Sequence, residues 1–338
     1  MQKKYLFLGP KKNLNNSKLI GGVIVLFENL LEYSNENNIK YDVIDTNKAN
    51  YKNKFYAYLQ IVYLLFVKAP RATHICLHGT ANDYLLIAPF ALLVSKFLSK
   101  HLSLRKFAGN FIEIYENYSL IQQMIIKIIL KHSSCNFFET KYLVKYFKKF
   151  NANTFWFPNV RKKSFYYTDY NFRKKFVYVG LISEEKGIDT LCETSKLLSD
   201  DYIIDLYGML TDKYTENYFN DYNVHYKGSL NSEDVTRILS QYDVLILPSL
   251  REGYPGIIIE ALSVGLPIIA TKLEGILEML NYDASLLIEP MNVNQLQKAI
   301  EGIDAENYSE KVSISLKLFK QFDTEMQTAL YFKRIGQE

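Results

Sequence analysis

The sequence predicts two doubly wound α/β units, each a parallel sheet with helices on its faces. Three observations predict it. Short β-rich runs alternate with longer segments of helical period along the whole chain, the alternation stops at Pro158 and restarts at Phe176, and 338 residues are too many for one compact domain. In the first half, apolar runs bounded by turn residues place strands at 5–8, 41–45, 74–78, 102–107, 136–138 and 155–157. Segments of helical period between them predict helices over 22–36, 56–67, 84–98, 115–131 and 141–150. Pro158-Asn159-Val160-Arg161-Lys162-Lys163, a proline followed by polar and basic residues, reads as a linker. Strands then follow at 176–180, 203–207, 224–226, 244–247, 266–270 and 285–288. The expected domains are 1–160 and 161–317, with a C-terminal helix of about 318–338 returning to the first. Ligands of such folds bind at the carboxyl ends of the strands, here expected in a cleft between the two sheets.

Composition narrows the function. With 48% hydrophobic residues, 27 Tyr and 21 Phe, the chain carries far more apolar surface than a disordered one. Its net charge of +4 hides an asymmetry: residues 1–160 hold 21 Lys and Arg against nine Asp and Glu, a net of +12, and the remainder holds 19 against 27, a net of −8. One half is therefore expected to face something anionic. Cys76, Cys135 and Cys192 are odd in number and widely separated, which argues against a disulfide framework or a metal site and for a reducing cytoplasm. The apolar run 5–8 is too short for a signal peptide, and 85–94 is far short of a membrane span, so the chain is expected in the cytoplasm or peripherally on a membrane face.

The densest chemistry lies in residues 248–267. A buried-type strand ends at Pro248, a loop carries Arg251 and Glu252, and a helix opens near Pro255, where proline suits a first helical turn. The free N–H groups of Gly256 and Ile257 at that terminus favour a bound phosphate. Glu260 is an acid in an otherwise apolar helix; it needs a partner, and a ligand polyol such as ribose or a salt bridge would each serve. Lys186 opens another helix, where the dipole disfavours a cation unless an anion lies beside it.

Glu252-Gly253-Tyr254-Pro255, Glu260-Ala261 and Gly265-Leu266-Pro267 resemble the signature of the retaining nucleotide-sugar glycosyltransferases of the GT-B fold, glycosyltransferase family 4. The resemblance extends to Thr271, Gly275-Ile276 and Glu278, to Gly228, Tyr242-Asp243 and Leu247-Pro248-Ser249, and more weakly to Pro158-Asn159 and Gly21-Gly22. It implies that Glu260 holds the donor ribose and that Glu252 lies near the transferred sugar. Tyr254 belongs to the same donor loop, while the amides of Gly256 and Ile257 meet the diphosphate. Lys186 neutralises the leaving group, and Gly21-Gly22 lets the backbone approach the donor. Two positions depart from the pattern. Leu181 stands where the family has an arginine, with Arg251 as a possible substitute, and Ala108 stands where many members have a histidine, with Asn110 or Glu113 acting in its place near the acceptor. His78 is a further acceptor-side candidate, or a structural histidine.

No Asp-x-Asp occurs in the sequence, so no metal or other cofactor is expected. Basic clusters at 96–106 and 141–149, the latter interleaved with aromatics, predict either an anionic membrane contact or a solvated helix. No nucleic-acid module is visible. The expected reaction is transfer of a sugar from a nucleotide-diphosphate donor, with retention, to a glycan or lipid-linked glycan in bacterial surface polysaccharide synthesis. A catalytically inactive nucleotide-sugar-binding scaffold and a nucleotide-sugar epimerase are the alternatives.

Overall fold

The computed structural model describes residues 3–13, 22–107, 109–280 and 285–336. The chain divides into two compact units, one formed by the chain up to Asn159 together with the segment from Thr324 onward, the other by Val160–Asp323. In the first, β1 (Tyr5–Gly9), β2 (Tyr41–Asp45), β3 (His74–Gly79), β4 (His101–Lys106), β5 (Cys135–Phe138) and β6 (Thr154–Trp156) form one parallel sheet in the order β2-β1-β3-β4-β5-β6. Its helices are α1 (Gly22–Glu36), α2 (Lys54–Lys68), α3 (Ala81–Leu86), α4 (Ala88–Phe97), α5 (Phe111–Glu116), α6 (Leu120–His132) and α7 (Lys141–Phe147).

The second unit repeats the plan. Strands β7 (Lys175–Val179), β8 (Ile203–Tyr207), β9 (His225–Tyr226), β10 (Val244–Leu247), β11 (Ile268–Thr271) and β12 (Ser285–Ile288) lie in the order β12-β11-β10-β7-β8-β9, all parallel. Around them stand α8 (Ile188–Ser195), α9 (Val235–Leu239), α10 (Gly256–Ser263), α11 (Glu274–Met279), α12 (Val293–Glu301) and α13 (Ala305–Phe319), after which α14 (Thr324–Ile335) belongs to the first unit and packs on α1. The central strands β1, β3, β10 and β11 are buried throughout, which is why they read as unbroken apolar runs rather than alternating ones. The predicted class, two doubly wound parallel sheets, is the observed one.

Two predicted helices are each two helices. Pro89 sits in the first turn of α4 and separates it from α3. Ser119 and Gln122 close a capping box that starts α6 afresh after α5. In both cases residues of the two pieces enter the same core cluster, so hydrophobic period alone merges them.

The basic clusters also need correction. Arg105 and Lys106 are not surface charges: both are buried in β4, Arg105 lying 3.7 Å over the Phe157 ring and donating to the Pro158 carbonyl at 3.1 Å, and Lys106 donating to the Phe107 carbonyl. Burial lowers the Lys106 ammonium to about 8. On α7 the apolar residues Leu143 and Phe147 are in the core, so this is a solvated basic helix with one large exposed apolar side chain, Tyr142.

Of the two readings of His78, the structural one holds. The ring is completely buried among Phe7, Phe27, Phe107 and Tyr331, with Nε2 3.2 Å from the Tyr331 hydroxyl of α14, so it has no access to an acceptor. Burial, reinforced by Arg105, holds its pKa well below 6.5. His74 is lowered to about 4 by burial and by the neighbouring His101 and Lys3. Both rings fold neutral, and the unfolded chain takes up protons first. Their contribution to stability is thus complete above about pH 6.5 and is lost as the pH falls from there toward the folded values. For His74 the loss at pH 4 is about 3 kcal/mol, at 1.36 kcal/mol per pKa unit. Urea unfolding at pH 7.5 and pH 4.5 should show a smaller acid loss in His74→Phe than in wild type; equal losses would contradict this account.

Candidate functional site

The chain leaves β7 for β8 on one side and returns to β10 on the other, so the order of the second sheet reverses between β7 and β10. The carboxyl ends of two such strands part and leave a crevice. The segments after β7 and β10 carry most of the charged residues picked out in the sequence.

After β7, a single 3-10 turn, Glu184–Lys186, ends at Gly187 in the left-handed region, φ 72°. A Cβ on Gly187 would lie 2.0 Å from the Pro248 carbonyl oxygen, so only glycine lets this turn touch the loop that follows β10. Leu250 N–H donates to the Glu185 carbonyl at 2.8 Å and ties the two loops together. Lys186 Nζ then donates to Glu252 Oε1 at 2.6 Å, and the same oxygen accepts from Ser249 Oγ at 2.8 Å. Ser249 is anchored in turn by Thr271, which donates to its carbonyl at 2.7 Å. Burial, and after it the Glu252 carboxylate, pushes the Tyr178 phenol up, and that hydroxyl donates to Leu181 O at 2.8 Å.

Gly187→Ala should be strongly destabilising. A non-glycine residue in this backbone region costs about 1–2 kcal/mol, and the clash with Pro248 adds to it. Gly228, at φ 80° with open space around its Cβ position, provides the control. Gly187→Ala should lower the melting temperature further than Gly228→Ala does; equal shifts would mean that the close approach contributes nothing.

Helix α10 opens at Pro255, whose side chain caps nothing, and the first-turn N–H groups of Gly256 and Ile257 have no acceptor among the described residues. Across this terminus lies Arg161. Its backbone is held by donation to the Phe322 carbonyl at 3.0 Å and by a bridge to Asp323. Its Nε donates to Glu260 Oε1 at 2.7 Å, and Nη1 donates to the Val160 carbonyl at 3.0 Å. Nη2 lies 2.4 Å from where a Cβ on Gly256 would stand. A guanidinium over a helix N-terminus opposes the dipole and is stable there only beside an anion; Glu260, one turn on, is that anion.

Lys186 and Glu252 are thus brought together, as are Glu260, Gly256 and Arg161. Arg161 is the residue that sequence reasoning missed. It lies in the linker with no periodic signal, and the only hint of it was that Glu260 required a partner. Arg251 is exposed and makes no ion pair among the described residues. Tyr254 is buried with its ring centroid 6.3 Å from that of Phe322, so its ring braces the loop from inside. Gly22 heads α1 with nothing near its Cβ position, Gly21 and Ala108 lie outside the described residues, and Asn110 and Glu113 are exposed at the start of α5. Asp243 is fully buried and accepts from the Arg173 side chain and the Lys175 N–H, which anchors the start of β7. Among the described residues no group of acids, histidines or cysteines could hold a metal ion, and no helix is long and apolar enough to cross a membrane.

Comparison with known proteins places this second unit. Residues 173–304 match the family model "Glycosyl transferases group 1". The amylovoran biosynthesis glycosyltransferase AmsK of Erwinia amylovora is 24% identical over 178 residues, covering 48% of this chain and 44% of that one. An N,N'-diacetylbacillosaminyl-diphospho-undecaprenol alpha-1,3-N-acetylgalactosaminyltransferase of Campylobacter jejuni is 26% identical over 186 residues, 48% of each chain. The chain thus spans less than half the length of these curated relatives. Among solved structures, Anabaena Alr3699/HepE in complex with UDP superposes with a TM-score of 0.74 over 99% of this chain and all of that one, at 14% identity. The fold is that of the GT-B glycosyltransferases.

Proposed function

We propose that this chain transfers a sugar from a nucleotide-diphosphate donor, with retention of anomeric configuration, to a glycan or lipid-linked glycan acceptor on the cytoplasmic side of a bacterial membrane. The premise is a group 1 glycosyltransferase match across most of the second unit and a GT-B fold. The observation that carries the reading is the first turn of α10, where open amides lie beneath the Arg161 guanidinium and just after the loop that holds the Lys186–Glu252 pair. Fixed donors and cations converge where a diphosphate leaving group gains negative charge, which is the arrangement that accelerates its departure. Glu252, held by Lys186 and Ser249, is in position to accept hydrogen bonds from sugar hydroxyls, and Glu260 to accept those of the ribose. With no covalent nucleophile assigned, the proposed retention requires attack on the face from which the leaving group departs. The chemistry is proposed to be independent of metal, in line with the absence of Asp-x-Asp from the sequence.

The acceptor class draws on relatives whose names concern amylovoran and a diphospho-undecaprenol acceptor, and the donor on a structural neighbour bound to UDP. Thermal-shift screening of nucleotide sugars identifies the donor, since a ligand that binds only the folded state raises stability by RT ln(1 + [L]/Kd). Incubation of that donor with lipid acceptor extract, in EDTA, should release nucleotide and give an α product from an α donor by NMR. An inverted product refutes retention, loss of turnover in EDTA refutes metal independence, and binding without turnover leaves a scaffold.

A further inference from the structure

The first unit carries an apolar outer surface that no described residue of that unit covers. Helices α2, α4 and α6 lie side by side on one face of the sheet, α4 in contact with both others. Each buries an inner stripe: Ala57, Ile61 and Leu65 on α2, Ala91 and Val94 on α4, Ile126, Ile129 and Leu130 on α6. Each also has a second apolar stripe turned outward. On α2 it is Phe55, Leu59, Tyr63 and Phe66, spaced to fall along one side of the helix, with Phe55 75% exposed. On α4 it is Phe90, Leu93 and Phe97, the last 84% exposed. On α6 it is Ile121, Met124 and Ile128. Water-exposed helices ordinarily turn charged residues outward, and three adjacent ones that do not form a patch of the kind that marks a binding surface.

The charges around the patch identify what covers it. Helices α2, α4 and α6 contain no Asp or Glu, and their charged residues are Lys54, Lys68, Lys96, Lys127 and Lys131. A second copy of the same face would set lysines against lysines. Aromatic and aliphatic side chains on helices whose charged residues are all lysines fit the interfacial layer of an anionic bilayer, where the rings and branched chains enter the acyl boundary and the lysine heads stay among the phosphates. We propose that this three-helix face docks the protein on an anionic lipid membrane. The basic helix α7, picked out in the sequence for the same purpose, lacks an outward apolar stripe to insert. The inference does not depend on the sugar-transfer reading.

Flotation of the full chain with vesicles of neutral phosphatidylcholine, or of phosphatidylcholine with 30% phosphatidylglycerol, tests it. The wild type should float with the anionic vesicles at least tenfold more than with the neutral ones, and 0.5 M salt should weaken the binding. Leu93→Glu with Phe97→Glu should abolish flotation while leaving the circular dichroism spectrum and melting temperature unchanged, because both side chains are exposed. Lys145→Glu on α7 with Lys149→Glu just beyond its end should reduce it by less than twofold. Absence of flotation by the wild type overturns the proposal, as does loss confined to the α7 variant. A dimer that Phe97→Glu dissociates, in a protein that ignores vesicles, also overturns it and assigns the face to a second copy.

Discussion

Lys186→Ala is expected to reduce the turnover of donor sugar by about 10²–10³, the cost of removing one preorganised donor from a developing anion, or about 3–4 kcal/mol of barrier. Lys186 sits in a turn fixed by Gly187 against Pro248 and by the Leu250–Glu185 hydrogen bond, so its ammonium is held in place before any ligand arrives. Its present partner is Glu252, at 2.6 Å. The loss should fall on kcat more than on KM, because the charge that Lys186 meets grows only as the bond to the diphosphate breaks. Lys186→Arg keeps the charge and should recover part of the rate, whereas Glu252→Gln keeps the Ser249 hydrogen bond and should impair sugar positioning without unfolding the loop. Steady-state kinetics on the three variants, with melting temperatures as a check on folding, decide the point. A kcat for Lys186→Ala within threefold of wild type would remove Lys186 from the chemistry.

Arg161→Ala is expected to weaken the binding of nucleoside diphosphate by about 10–100-fold, in line with the roughly 1.5–3 kcal/mol that a hydrogen bond to a charged group contributes. It should also lower stability, since Glu260 is left part-buried without its cation. The two effects are separable. In an Arg161→Ala, Glu260→Gln double variant the stability should return, because no unpaired charge remains, while the affinity should not. Calorimetric titration with UDP and with other nucleoside diphosphates measures the second quantity. Lower stability with unchanged affinity for every nucleotide tested would reduce Arg161 to a brace for Glu260. Arg161 is also a better candidate than Arg251 for the cation missing at Leu181, because it is anchored at both backbone and side chain, whereas Arg251 has no ion-pair partner among the described residues.

The fold was largely legible from local pattern. Strands buried on both faces leave unbroken apolar runs, and crossover helices leave a period near 3.6, both of which are properties of neighbouring residues. Errors arose where a local signal had two meanings. Helical period could not separate α3 from α4, and lysines interleaved with aromatics on α7 fitted a membrane helix and a solvated one equally, until Leu143 and Phe147 proved to be core and Tyr142 exposed. Nor can composition tell the outward apolar stripes of α2, α4 and α6 from core: it shows that a side chain is apolar, not whether its neighbours cover it.

In the candidate site, the sequence singled out Lys186 and Glu260 because each is a charge in a costly place, and Glu252 by its resemblance to the family signature. It could not name their partners. Lys186 and Glu252 are 66 residues apart, Arg161 and Glu260 are 99 apart, and Tyr331 reaches His78 across 253. Local spacing by itself determined the α/β class, both sheets and the residues that need compensation. Tertiary structure decided what compensates them and which apolar faces stay in water, because strand order and the close approach of loops bring together groups whose separation along the chain carries no periodic signal.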